Sequence, residues 1–206
     1  MIYRVALLIL VVAFALLNGC APCKDYKQII VERDASIVER DGIIAERDAT
    51  IEEGKALAQK LREEIEGVEA EKLVLIDQIN EIVVVEIPDS ILFASAGVMV
   101  METMIPTLEA IRDACAEYPN WDIYVEGYTD SQKIEPDWQE LWPTNWELGA
   151  ARAAAVTRYM TNWLDMDATR FAVVSYGPFR PVADNDTAEG REKNRFVRIV
   201  MHRVER

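Results

Sequence analysis

The distribution of apolar positions changes character along this chain. Val5 to Leu17 is an unbroken apolar run behind Arg4, and from Ile30 the pattern turns into a seven-residue repeat, VERDASI, VERDGII, AERDATI. Isoleucine at position a gives Ile30, Ile37, Ile44, Ile51, Ala58, Ile65, Lys72 and Ile79. Position d then reads Arg33, Arg40, Arg47, Gly54, Leu61, Val68, Leu75 and Ile82. That period predicts a long helix, about 80 Å from Ile30 to Ile82 at 1.5 Å per residue. The later heptads form an ordinary apolar seam broken by Lys72. The first three put arginine where a dry seam opposes charge, and the flanking Glu32, Asp34 and their repeats offset that only in part. Two readings stay open for the helix. It is either a solvated spacer or a homo-oligomeric coiled coil seeded by the later heptads.

After Ile82 the periods shorten. Ile82 to Phe93 is rich in β-branched residues and split by Pro88-Asp89, predicting a strand, a turn and a second strand. Thr103 to Tyr118 has helical spacing through Met104, Leu108, Ile111, Ala114 and Cys115, stopped by Pro119-Asn120. WDIYVEGYTD alternates as a strand ending at Gly127. Thr144 to Leu164 is a helix with Leu148, Ala155, Val156, Tyr159 and Trp163 on one face. Arg170 to Tyr176 and Arg195 to His202 alternate again as strands. The expected fold class is α+β, a mixed sheet with helices packed on it after a long heptad-repeat helix. The expected division is residues 1–20 for export or anchoring, 24–82 for the stalk and 83–206 for the folded domain.

Composition narrows the chemistry. With 206 residues and a formal net charge of -14, the surface repels phosphate backbones and argues against nucleic acid. The one histidine, His202, argues against a histidine-based triad or metal site. No cofactor, metal or catalytic residue is expected, because nothing pairs a nucleophile with a base. Cys115 falls inside a predicted helix as a small buried apolar residue.

Candidate binding residues gather in two stretches, GYTD through TNWELGAARA and the later GREKNR. Asp130 ends a strand, and alone it is as well explained as a turn cap. Thr144 to Glu147 fits a capping box, so a helix N-terminus with free N–H groups would begin there. Asn145 and Arg152, seven apart, share one face of that helix. Arg195 opens the last strand. Arg191 and Asn194 are better suited to tying the tail loop to the sheet. The excursion Ser131 to Pro143 carries Trp138 and Trp142 and reads best as a local minicore, with a lid or a protein contact as alternatives.

Residues from about Ile91 to Val200 resemble the OmpA-like, or OmpA/MotB C-terminal, peptidoglycan-binding domain. The motifs that carry the resemblance are GYTD at Gly127, NWELGAARA at Asn145 and N-x-T-x-x-G-R-x-x-N-R at Asn185 to Arg195. Their wording is closest to the MotB-like branch. The resemblance implies a βαβαβ-type mixed sheet and non-catalytic binding of the peptidoglycan stem peptide at its diaminopimelate residue. Carried over, the site is Thr129, Asp130, Asn145, Arg152 and Arg195. Asp130 would accept from the ligand ammonium, and Arg152 would grip its carboxylate with a planar fork. Two positions depart from the family pattern, Tyr128 in place of histidine and Phe196 in place of a second arginine. They bear on fine specificity.

The apolar run ends in LNGC, which resembles a bacterial lipobox and implies lipidation at Cys20. Thirteen residues fit the core of an export signal better than a full membrane span; an uncleaved anchor is the alternative. Either way the chain is expected in a bacterial envelope, facing the periplasm on a membrane, the outer one by analogy with Ala21 after the cysteine. The implied role is a tether between that membrane and peptidoglycan. A MotB-like stator, or an envelope component whose stalk recruits a protein partner, is the alternative. Val5 to Leu17 holds no carboxylate to carry an ion, which argues against the stator.

Overall fold

The computed structural model describes residues 21–66, 74–94 and 97–204. The apolar run, Cys20, and the heptad positions Val68 and Lys72 lie outside them. Among the described residues no helix is long and apolar enough to cross a membrane.

Helix α1 covers Ala21–Ile65, and the chain divides into a unit Met1–Asp48 and a unit Ala49–Arg206. In the first unit the heptad isoleucines Ile30, Ile37 and Ile44 are exposed. In the second, Leu57, Ala58, Leu61 and Ile65 are almost fully buried in the core of the folded domain. Leu57 to Ile65 therefore serve an intramolecular interface. Gly54 at position d has a packing reason, because the Trp121 ring lies where a Cβ would meet it at 3.2 Å. Charge holds the same stretch in place. Arg203 pairs with Glu53 at 3.1 Å and Lys60 with Glu117 at 2.7 Å.

The expected helix through Ile82 is not formed. The helix ends at Ile65, and strand β1 (Leu75–Ile79) turns back onto β2 (Ile82–Pro88) with Ile79 opposite Ile82. Asn80 takes the left-handed conformation at φ 55 in that two-residue turn, a geometry asparagine tolerates better than most residues. Leu75, Ile79 and Ile82 satisfy a seven-residue period and a two-residue alternation alike, and pairing with the sheet decides between them. The second strand expected after Pro88 is instead a short helical turn, α2 (Asp89–Leu92).

The remaining elements are α3 (Ile105–Ala116), β3 (Trp121–Tyr128), α4 (Asn145–Asn162), β4 (Phe171–Gly177), α5 (Ala188–Asn194) and β5 (Phe196–Arg203). The sheet order is β1-β2-β5-β3-β4, antiparallel except for the parallel pair β3 and β4. This is the mixed α+β sheet that the alternating strands and helices implied. One face carries Val83, Val85, Ile87, Ile123, Val125, Val197, Ile199 and Met201 into the core beneath the helices. Cys115 is buried there as well, and burial pushes its thiol up to about 12. Arg170 is buried, and its guanidinium donates to the carbonyls of Trp121 at 2.8 Å, Tyr118 at 2.9 Å and Cys115 at 3.5 Å. The Cys115 carbonyl belongs to the last turn of α3, where a cation is favoured. Trp163 departs from expectation. The helix ends at Asn162, so Trp163 leaves its inner face and stands 77% exposed.

Candidate functional site

Two close backbone approaches set the site. A Cβ on Gly127 would collide with the Gly149 carbonyl oxygen, and one on Gly149 with the Ser175 hydroxyl. Glycine at both positions lets α4 lie directly on the end of β3. Arg152, one turn beyond Gly149, is thereby carried in beside α2 and is only 5% exposed. The helix begins as its sequence suggests. Thr144 accepts from the Trp146 N–H at 3.2 Å, and the Thr144 N–H donates to Glu147 at 2.8 Å. The Thr144 hydroxyl and the helix N–H groups around it hold the Glu147 carboxyl below its ordinary range. Asn145, at the first helical position, donates to the Gln132 carbonyl at 2.7 Å and ties the excursion to the helix.

The charged groups are joined in one chain of contacts. Arg152 bonds Asp89 at 2.9 Å. The Asp89 N–H donates to the Arg195 carbonyl at 2.9 Å, and the Arg195 guanidinium bonds Asp130 at 2.6 Å. The other Asp130 oxygen accepts from the Gln132 N–H at 3.0 Å, so Asp130 is both a turn acceptor and half of an ion pair. All four charged residues line one cavity of about 480 Å³. Asp130, Arg152 and Arg195 also border an adjoining cavity of about 360 Å³ with Thr129, Asn145 and the excursion. The five residues singled out from sequence thus converge on a shared space.

Asp89 was missed. In sequence it follows Pro88 and reads as a turn residue, yet it is the carboxylate opposite Arg152. Burial pushes its carboxyl above the ordinary range, against the pull of Arg152 and Arg195. Burial likewise depresses the Arg152 guanidinium, with Asp89 opposing that shift. Among the described residues the second Asp89 oxygen is buried with no hydrogen-bond partner, although a buried acceptor ordinarily has one. The wall of this cavity therefore combines two carboxylates with two guanidinium groups. Thr129 contributes less, since its hydroxyl is spent on the Asp130 carbonyl at 3.0 Å.

The tail loop behaves as its sequence suggested. Asn194 accepts from the N–H groups of Val182 and Ala183 and donates to the Ala183 carbonyl, and Arg191 donates to the Asn185 carbonyl at 2.9 Å. The excursion differs from a minicore: Trp138 and Trp142 stack on each other, with Trp138 39% exposed, and both wall the smaller cavity. Trp146 points elsewhere and stacks on Phe179. Tyr128 and Phe196, the two departures from the family pattern, are cross-strand partners stacked at 4.3 Å, with Arg198 over both rings. Neither borders the cavities that hold Asp130.

Residues 93–195 match the OmpA family model. Among curated proteins, the chain is 38% identical over 119 residues to the uncharacterized protein YtxE of Bacillus subtilis, covering 58% of this chain and 48% of that protein. It is 31% identical over 122 residues to motility protein B of the same organism, covering 59% of this chain and 46% of that protein. The chain thus spans about half the length of these relatives. Among solved structures, the cell wall anchor of the T6SS from Pseudomonas aeruginosa is 32% identical with a TM-score of 0.61. That match covers 72% of this chain and 97% of the other.

Proposed function

The chain belongs to the OmpA family, and from that premise we propose that its folded domain binds peptidoglycan non-catalytically. The ligand group is the free end of a diaminopimelate-type stem residue, which carries an ammonium and a carboxylate on one carbon. One observation carries this reading, the linked pairs Arg152–Asp89 and Arg195–Asp130 on a single cavity wall. A zwitterion matches such a wall group for group. Its ammonium is taken by Asp130, and its carboxylate by Arg152 and Arg195 with charge-assisted, directional bonds. Asn145 holds the excursion against that space. The solved cell wall anchor with which the chain shares 32% identity supports a wall ligand.

The rest of the chain gives the binding its use. Lipid on Cys20, or an uncleaved helix, holds the N-terminus in an envelope membrane, and the heptad helix spaces the domain from it. Self-association along the helix would use the exposed heptads before Asp48, because Leu57 to Ile65 are spent on the domain core. The similarity to motility protein B favours a second reading, an envelope-complex component in which the helix recruits a protein partner.

Cosedimentation with purified peptidoglycan tests the binding, using full-length protein in detergent and variants shown to be folded by circular dichroism. Asp130→Asn and Arg195→Ala are expected to leave the pellet. A soluble stem peptide containing meso-diaminopimelate is expected to compete, and the same peptide with lysine in that position, whose side chain ends in an ammonium without the carboxylate, to compete poorly. Undiminished pelleting of both variants would remove the site assignment. Intact mass of membrane-extracted protein tests the anchor, with a diacylated or triacylated Cys20 as first residue expected.

A further inference from the structure

The smaller cavity is bordered by charged residues and by an aromatic pair, Trp138 and Trp142. The excursion folds through a single-turn helix at Pro136–Trp138. The Trp142 N–H donates to the Trp138 carbonyl at 2.9 Å, and the Gln139 side chain closes onto the Ile134 carbonyl at 2.8 Å. This geometry sets the two indoles parallel, with centroids 5.5 Å apart and planes 21° apart. Neither ring belongs to the hydrophobic core. Both face the cavity that Asp130, Arg152 and Arg195 border, together with Gln132, Lys133 and Glu135.

An ordered aromatic pair held at the surface, with donors and acceptors around it, is poorly explained by folding energy. An indole face matches the C–H face of a pyranose ring, and the nearby polar side chains match its hydroxyl and amide groups. We infer that Trp138 and Trp142 form a sugar subsite, which takes an N-acetylated amino-sugar ring of the glycan while the charged wall holds its peptide. This rests on the peptide-binding reading above and adds a second contact to the same polymer. The cavity of about 360 Å³ is large enough for one pyranose ring beside the peptide branch.

Isothermal titration of the full-length chain in detergent separates the two readings. The ligands are a soluble disaccharide–peptide released by muramidase and the same peptide freed of sugar by an amidase. The wild type is expected to bind the disaccharide–peptide about tenfold more tightly, as one stacked ring warrants. In Trp138→Ala and Trp142→Ala the ratio of the two dissociation constants is expected to fall to about one, with Trp138→Phe keeping most of it. Arg195→Ala is expected to weaken both ligands and preserve the ratio. A wild-type ratio near one, or a ratio unchanged in both tryptophan variants, overturns the sugar subsite and leaves the peptide site standing. Tryptophans that serve only a protein partner would give that second result. A wild type that binds neither ligand overturns the peptide-binding reading and the subsite with it.

Discussion

Two arginine–carboxylate pairs face the same cavity, and they are built differently. In Arg152–Asp89 both side chains are nearly enclosed, at 6% and 12% exposure. In Arg195–Asp130 the arginine keeps 33% of its surface in solvent. For the enclosed pair, desolvation works against the charge on both partners, raising the Asp89 carboxyl and lowering the Arg152 guanidinium. That pair stabilises the fold poorly for the charge it holds. What it does is fix Arg152, a long side chain with many rotamers, in a single place. The open pair has the opposite character. On the proposed binding, Arg195 turns to a ligand carboxylate as the ligand ammonium takes its place on Asp130, whose own side chain is only 9% exposed and needs a cation beside it. In that proposal one pair sets the wall and the other exchanges partners.

This contrast can be broken in stages. The largest effect is expected from Asp89→Ala, which leaves a buried guanidinium without its acceptor and costs about 3 kcal/mol in chemical denaturation. A loss below 1 kcal/mol would mean that Arg152 is solvated in solution. Replacing the whole pair, Asp89→Leu with Arg152→Met, is expected to recover stability to within about 1 kcal/mol of wild type while peptidoglycan binding stays lost. Recovery of binding in that double variant would show that the pair has no part in the site. Arg195→Ala, at the open pair, is expected to cost at most about 1 kcal/mol of stability and yet to abolish cosedimentation.

The smallest effect concerns pH. The Asp89 carboxyl is raised above its ordinary value of 3.8 in the folded chain, so folding favours its protonated form. Its contribution is present below 3.8 and is lost as pH rises through the raised value. Asp89→Asn mimics the neutral group. Its stability curve, subtracted from that of the wild type, is expected to reveal a wild-type decline over that window, and a flat difference would mean that Asp89 titrates normally.

The sequence put Asp130, Arg152 and Arg195 in view, left Asp89 out and hid both pairings. GYTD and NWELGAARA put Asp130 and Arg152 in view because each sits in a local signal, a strand end and a capped helix. Their partners are set by topology. Asp130 meets Arg195 from 65 positions away only because β5 lies between β2 and β3. Asp89 meets Arg152 because Gly127 and Gly149 allow α4 to sit low on the sheet, and neither glycine names Asp89. The heptads misled for a related reason. Leu61 and Ile65 fit a seam between helices, but a sheet offered the same apolar cover within the chain. Asn80 was the local sign that the helix had ended and a hairpin had begun.

The central claim is that the open pair exchanges partners with a zwitterionic group of the wall. Its most direct test is cosedimentation of folded Asp130→Asn/Arg195→Ala protein with purified peptidoglycan, beside the wild type and at equal concentration. The account predicts wild-type protein in the pellet and the double variant in the supernatant, with thermal unfolding of the two within a few degrees. A folded double variant that pellets like the wild type would contradict it.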